Sequence, residues 1–327
     1  MSDIRKLIGS GEVTGSGVRR FCGALLVSLL MASQAIGGNT DQMQTQTKSE
    51  ETIMNARNGD PKKIQGYAPV NGLKMYYEIE GTGDPLVFIP PAFGFAGKQS
   101  FPELVQNHSV IAVDLQGNGR TADIPERPIS IEQYAKDVVG LMKYLGISKA
   151  DFLGDSYGGD TAAVIAVHYP ELVRRVATYS ATFAPPPNTF NPETTRFDHT
   201  PTAETRDIQY QRESYKKVAP DPNYWPTIYE KVGGIQWKGF SKEELASIKA
   251  PFLIIQGDHD FVGLEHSVDT VRLIPHAELA VIPSGSHFAL SSEQERVIPI
   301  IKRFLEKPEK QLPLATANVG YHPGETR

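Results

Sequence analysis

Seven short apolar runs recur along the middle of the chain, separated by stretches of helical periodicity, and this alternation restricts the fold more than any other feature. The runs are 73–80 (LKMYYEIE), 85–89 (PLVFI), 110–115 (VIAVDL), 150–154 (ADFLG), 176–181 (VATYSA), 252–256 (FLIIQ) and 279–283 (LAVIP). Most are apolar throughout rather than at alternate positions, the pattern of strands buried on both faces. The clearest intervening helix runs from Ser130 to Leu145. Ser130 and Gln133 have capping-box spacing, Tyr134, Val138, Leu141, Met142 and Leu145 share one face, and Gly146 ends it. Together these features predict a mostly parallel, doubly wound α/β sheet, which places its sites at the carboxyl ends of the strands.

The alternation breaks once, between about 183 and 248. That segment is rich in proline and carries ten aromatic residues, including both tryptophans, Trp225 and Trp237. It reads as a largely helical cap inserted over one end of the sheet, although rings of this kind also serve simply to pack a long loop.

The ends of the chain differ from the middle. Arg5, Lys6, Arg19 and Arg20 precede the apolar run 21–31 (FCGALLVSLLM), and Ser33-Gln34-Ala35 offers a small-x-small cleavage site. Residues 1–35 are therefore expected to be a signal peptide, and the protein to be exported, periplasmic or secreted. The run is short of the ~20 residues that span a bilayer, so no stable membrane anchor is expected. Arg19-Arg20 also permits a twin-arginine route. Residues 36–64 are polar and aperiodic, a leader, and 308–327 read as a flexible tail, leaving 65–307 for the folded domain. Cys22 is the single cysteine, so an intrachain disulfide is excluded. Neither a cofactor nor a metal is implied: no Cys or His pair has zinc-site spacing. With 33 Lys and Arg against 38 Asp and Glu, the net charge of −5 lacks the basic surplus that nucleic acid requires. A small-molecule substrate is the expected partner, and the sequence leaves the oligomeric state open.

Gly154-Asp155-Ser156-Tyr157-Gly158-Gly159 lies between the run ADFL and a helical stretch ended by Pro170. So tight a strand-to-helix turn leaves its central side chain protruding above the sheet, and Ser156 occupies that apex. A serine there can be a helix N-cap. It can also be a nucleophile, which requires a histidine base and a carboxylate to orient it. His287, in PSGSHF after LAVIP, lies where a strand's carboxyl end would place a base. His259 is a second candidate, flanked by Asp258 and Asp260 after FLIIQG; either aspartate could supply the carboxylate.

These segments resemble the α/β-hydrolase fold family. The likeness covers about residues 70–305 and rests on the elbow GDSYGG, the acid segment IIQGDHDFV, the histidine segment PSGSHF and, more loosely, VDLQGNGRT. The resemblance implies that the second Asp of GDxD, Asp260, serves with Ser156 and His287. Where many members have His-Gly after the second strand of this core, this chain has Pro90-Pro91-Ala92-Phe93-Gly94. Pro91 has no N–H to donate to an oxyanion, so the first donor is the Ala92 or the Phe93 amide; alignment with the family favours Ala92, and the second donor is the Tyr157 amide. Phe93, Trp225 and Trp237 are the expected substrate-contacting rings. The implied activity is a serine esterase or lactonase acting on a small apolar or aromatic substrate through an acyl-enzyme on Ser156. Two alternatives stand beside it: a cofactor-free haloperoxidase or perhydrolase-like enzyme, and a non-catalytic binding protein. Asp155 also raises the Asp-nucleophile dehalogenases and epoxide hydrolases, but it sits one residue before the apex, where its side chain turns away.

Overall fold

The computed structural model describes residues 63–185, 189 and 206–308. The expected signal peptide, all but the last two residues of the expected leader, and all but the first residue of the tail lie outside the described residues. Among the described residues no helix is long and apolar enough to cross a membrane.

Eight strands form one sheet in the order β1-β2-β4-β3-β5-β6-β7-β8. They are β1 (Ile64–Val70), β2 (Leu73–Glu80), β3 (Asp84–Ile89), β4 (His108–Val113), β5 (Ala150–Asp155), β6 (Val173–Tyr179), β7 (Phe252–Gly257) and β8 (Ala277–Ile282). β1 pairs antiparallel with β2, β2 antiparallel with β4, and every later pairing is parallel. β4 lies on one side of β3 and β5 on the other, so the winding reverses at β3. The carboxyl ends of β3 and β5 border the crevice where open α/β sheets bind their ligands.

The helices follow from the same periodicities. α1 (Ile131–Tyr144) and α2 (Tyr157–His168) bury Ile131, Tyr134, Val138, Leu141 and Ile165 in the core on one face of the sheet, against Val87, Ile89 and Phe152. In the insertion stand α3 (Arg206–Lys216), α4 (Trp225–Gly233) and α5 (Lys242–Ser247), followed after β7 by α6 (Leu264–Leu273). α7 (Ala289–Ser292) and α8 (Gln294–Leu305) close the other face, where Val297, Ile298, Ile301 and Phe304 pack on Leu86, Phe88, Leu153 and Ile255. β5 and β7 are buried along their whole length.

Two readings need correction. The apolar runs do not include β1, and the expected leader takes in its first residue, Ile64. As an edge strand it buries only Ala68 and Val70 fully and tolerates Gly66 and Pro69, so it lacks a strand's usual composition. At the start of α1 only half of the capping box forms. Ser130 accepts the Gln133 amide at 3.1 Å, but the Gln133 side chain turns forward to Asp137 at 2.9 Å.

Among the described residues the insertion is tied to the rest of the domain at several places. The Gly263 amide, after β7, donates to the Thr189 carbonyl at 2.7 Å, and the Phe183 amide donates to Asp160 in α2 at 2.7 Å. Lys231 in α4 reaches Asp123, after β4, at 2.7 Å and three carbonyls around it, while Tyr224 donates to the same carboxylate at 2.9 Å. Burial opposes the Asp123 charge, but Lys231, Gln116 and Tyr224 outweigh it and hold its carboxyl below the usual range.

Candidate active site

Ser156 sits between β5 and α2 with φ 53° and ψ −120°, a conformation that costs a non-glycine residue energy and persists only where its surroundings enforce it. Those surroundings are backbone contacts. Ser156 donates its amide to the Tyr179 carbonyl at 2.8 Å, and its own carbonyl accepts from Gly159 at 2.8 Å. The turn is so tight that a Cβ on Gly154 would lie 2.3 Å from the Gly158 carbonyl oxygen, and one on Gly158 would lie 2.0 Å from that of Ile89. Glycine at both positions is therefore a steric requirement, and it brings the start of α2 against the end of β3.

The Ser156 hydroxyl makes no helix-capping bond. Its Oγ instead lies 3.1 Å from Nε2 of His287, and Nδ1 of His287 lies 2.9 Å from Oδ1 of Asp260. Asp260 is 1% exposed and accepts two further bonds, from the Val262 amide at 3.0 Å and from the Ser180 hydroxyl. Such a carboxylate is held rigidly, with its charge compensated. Asp258 and His259 are both exposed, and their amides tie the β7 loop to the carbonyls of Ile282 and Gly285, just before His287. The structure thus brings together Ser156, Asp260 and His287 and leaves the other two candidates outside.

Two further rings, Phe261 and Phe288, stand beside the histidine without a motif of their own in the sequence. The Phe261 ring stacks on the His287 imidazole at 4.0 Å and 27°, and Phe288 meets it edge-on at 5.6 Å. Both are partly exposed, at 38% and 48%, so they form an apolar rim around the histidine. The available signal was adjacency: each ring is the chain neighbour of Asp260 or His287.

After β3 the chain turns at Pro91, whose carbonyl accepts the Gly94 amide at 2.9 Å, and Phe93 has φ 59°. Among the described residues, neither the Ala92 nor the Tyr157 amide donates to a backbone carbonyl. Phe93 meets Trp225 at 5.0 Å and Tyr229 at 5.8 Å, so the loop after β3 and α4 share one aromatic wall. Trp237 does not join it. Among the described residues its ring contact is with Phe240 at 5.1 Å, and Phe240 leads to Phe183, a packing cluster at the base of the insertion. Of the three rings expected to contact substrate, the structure brings Phe93 and Trp225 together and leaves Trp237 packed on Phe240, where the turn after α4 carries it.

Asp155, one residue before the apex, is 5% exposed, and burial pushes its carboxyl up to about 7. Asp160 in α2 is pushed up by burial to about 6, although it accepts from the Thr182 hydroxyl and the amides of Thr182 and Phe183.

Residues 85–214 match the family model described as alpha/beta hydrolase fold. Among curated proteins, the chain is 24% identical over 272 residues to 2-hydroxymuconate semialdehyde hydrolase of Pseudomonas putida, covering 73% of this chain and 92% of that protein. It is 28% identical over 237 residues to human serine hydrolase BPHL, covering 67% and 78%. Among solved structures, a meta-cleavage product hydrolase from Pseudomonas fluorescens superposes with a TM-score of 0.64 at 22% identity, covering 73% of this chain and 97% of that one.

Proposed function

This chain belongs to the α/β-hydrolase fold family and is a hydrolase, and on that premise we propose that it cleaves a carboxylic ester or lactone through an acyl-enzyme on Ser156. The observation that carries the reading is the continuous relay from Ser156 Oγ through His287 to Asp260, at 3.1 and 2.9 Å. His287 Nε2 takes the hydroxyl proton as Oγ attacks the substrate carbonyl, while Asp260 fixes the tautomer that leaves Nε2 free to accept it. The amides of Ala92 and Tyr157 receive the oxyanion, each donor contributing about 3–4 kcal/mol in the transition state. Collapse expels the alcohol, which takes its proton from His287; water then repeats the sequence and releases the acid. Phe93, Trp225 and the rim of Phe261 and Phe288 favour an apolar or aromatic substrate.

The test is hydrolysis of p-nitrophenyl butyrate by the purified protein, with a fluorophosphonate to trap the nucleophile. Labelling on the peptide that contains Ser156, and loss of turnover in Ser156→Ala, are the expected results. Undiminished activity in that variant would sink the assignment.

A second reading is favoured by the relative named 2-hydroxymuconate semialdehyde hydrolase, which the chain covers over 92% of its length. In that reading the substrate is an unsaturated semialdehyde of that kind. Turnover of 2-hydroxymuconate semialdehyde exceeding that of the ester would select it. Export through residues 1–35 is part of the proposal, and mass spectrometry of the secreted product should find an N-terminus near Ile36.

A further inference from the structure

Asp155 has no role in the acyl transfer just described, yet its carboxyl is buried one residue from Ser156. It shares the sheet face of Leu153 and Tyr179, opposite the one on which Gly154 meets α2. Tyr179 is its register partner on β6, and the Tyr179 hydroxyl donates at 2.6 Å to the carbonyl of Ser286, the residue before His287. Asp155 thus lies on the side of the sheet where the histidine loop is anchored. Its own partners are few. Oδ2 has one long contact, 3.5 Å from Gln99 Nε2, and Oδ1 and Gln99 Oε1 are both buried with no partner. The charged groups in electrostatic reach are Lys98, Asp260 and His287, with the Tyr179 hydroxyl beside them.

A carboxylate this poorly compensated is costly to keep ionised unless positive charge appears beside it. On the serine-hydrolase reading, on which this inference rests, positive charge appears there once per half-reaction, when the proton leaves Ser156 for His287. We propose that Asp155 is a positioning residue for that step, an electrostatic partner that answers the imidazolium charge together with Asp260. No bond to Asp155 forms or breaks; the proton passes from Oγ to Nε2 and on to the leaving alcohol. Because burial has moved its carboxyl up to about 7, its charge changes across the range in which a histidine base works.

The experiment is the pH dependence of kcat/KM for p-nitrophenyl butyrate in the full-length protein, Asp155→Asn and Gln99→Met, with fluorophosphonate labelling of each. Removing a negative charge beside the imidazole favours its neutral form, so the acid limb of Asp155→Asn should move to lower pH by roughly half a unit to one unit. Its kcat should fall roughly five- to thirtyfold with KM nearly unchanged, the rate equivalent of about one unit of differential interaction. Gln99→Met removes the amide that favours the ionised carboxyl and should shift the limb the same way by less; it carries the test if Asp155→Asn fails to fold. An acid limb that stays in place in a variant still labelled at Ser156 overturns the role of Asp155 and leaves the serine-hydrolase reading standing. Failure of the parent protein to label overturns both.

Discussion

Asp260 and Asp258 differ by two positions in sequence and by almost everything else in their surroundings. Asp260 accepts from His287, Val262 and Ser180, whereas Asp258 is exposed and uses only its amide, in the turn toward Ile282. Asp260→Asn should lower kcat roughly 10³- to 10⁴-fold, because the amide cannot hold the imidazole tautomer that accepts the serine proton. Asp258→Asn should stay within about twofold of the parent, as expected of an exposed surface change. Equal losses in the two variants, measured by ester hydrolysis at matched folding, would contradict the relay. The stacked Phe261 ring supports a finer expectation. Phe261→Ala removes the surface that limits rotation of His287, so kcat should drop several-fold while Ser156 still labels.

The elements divide by what a linear pattern can carry. The six parallel strands and α1 are legible because burial between layers writes apolar runs, and an amphipathic helix writes a 3.6-residue stripe. Ser156 and His287 were legible for a related reason: each closes a strand, and a strand's end is the one place where loop residues gain a predictable position. Trp237 shows the limit. Nothing in its neighbours distinguishes a ring facing the site from one packed on Phe240, since both are buried aromatics in a proline-rich segment. The clamp of Lys231 and Tyr224 on Asp123 spans about a hundred residues and has no local signature. These differences are measurable. Trp225→Ala should cost about 3–5 kcal/mol in chemical denaturation, because the ring is buried against Phe93, Tyr215 and Tyr229, and should raise KM for aromatic esters. Trp237→Phe should leave KM unchanged. The indole N–H it removes is buried without a partner, so the lost packing is offset by relief of that group. A raised KM in Trp237→Phe would return that ring to the site.

At the scale of the whole molecule, three of the buried carboxyls contribute strongly to the response of stability to pH. Burial raises Asp114 to about 7, Asp155 to about 7 and Asp160 to about 6, each from an ordinary value of 3.8. Between those limits the folded protein keeps protons that the unfolded chain has released. The contribution of these groups to stability is therefore full below about pH 4, declines as pH rises toward 7, and is constant above it. Asp114 and Asp160 accept backbone amides that would be lost on substitution, so Asp155 is the clean probe. The difference in unfolding free energy between Asp155→Asn and the parent should shift in favour of the variant from pH 5 to pH 8, by on the order of 1 to 4 kcal/mol. Thermal or urea unfolding at matched ionic strength reads it directly, and a difference independent of pH would show that Asp155 does not titrate in this range. Should the same substitution stabilise the fold at pH 8 and slow turnover there, the two results have one origin. A carboxyl is kept in a place that the fold alone would leave uncharged, because the reaction beside it makes use of the charge.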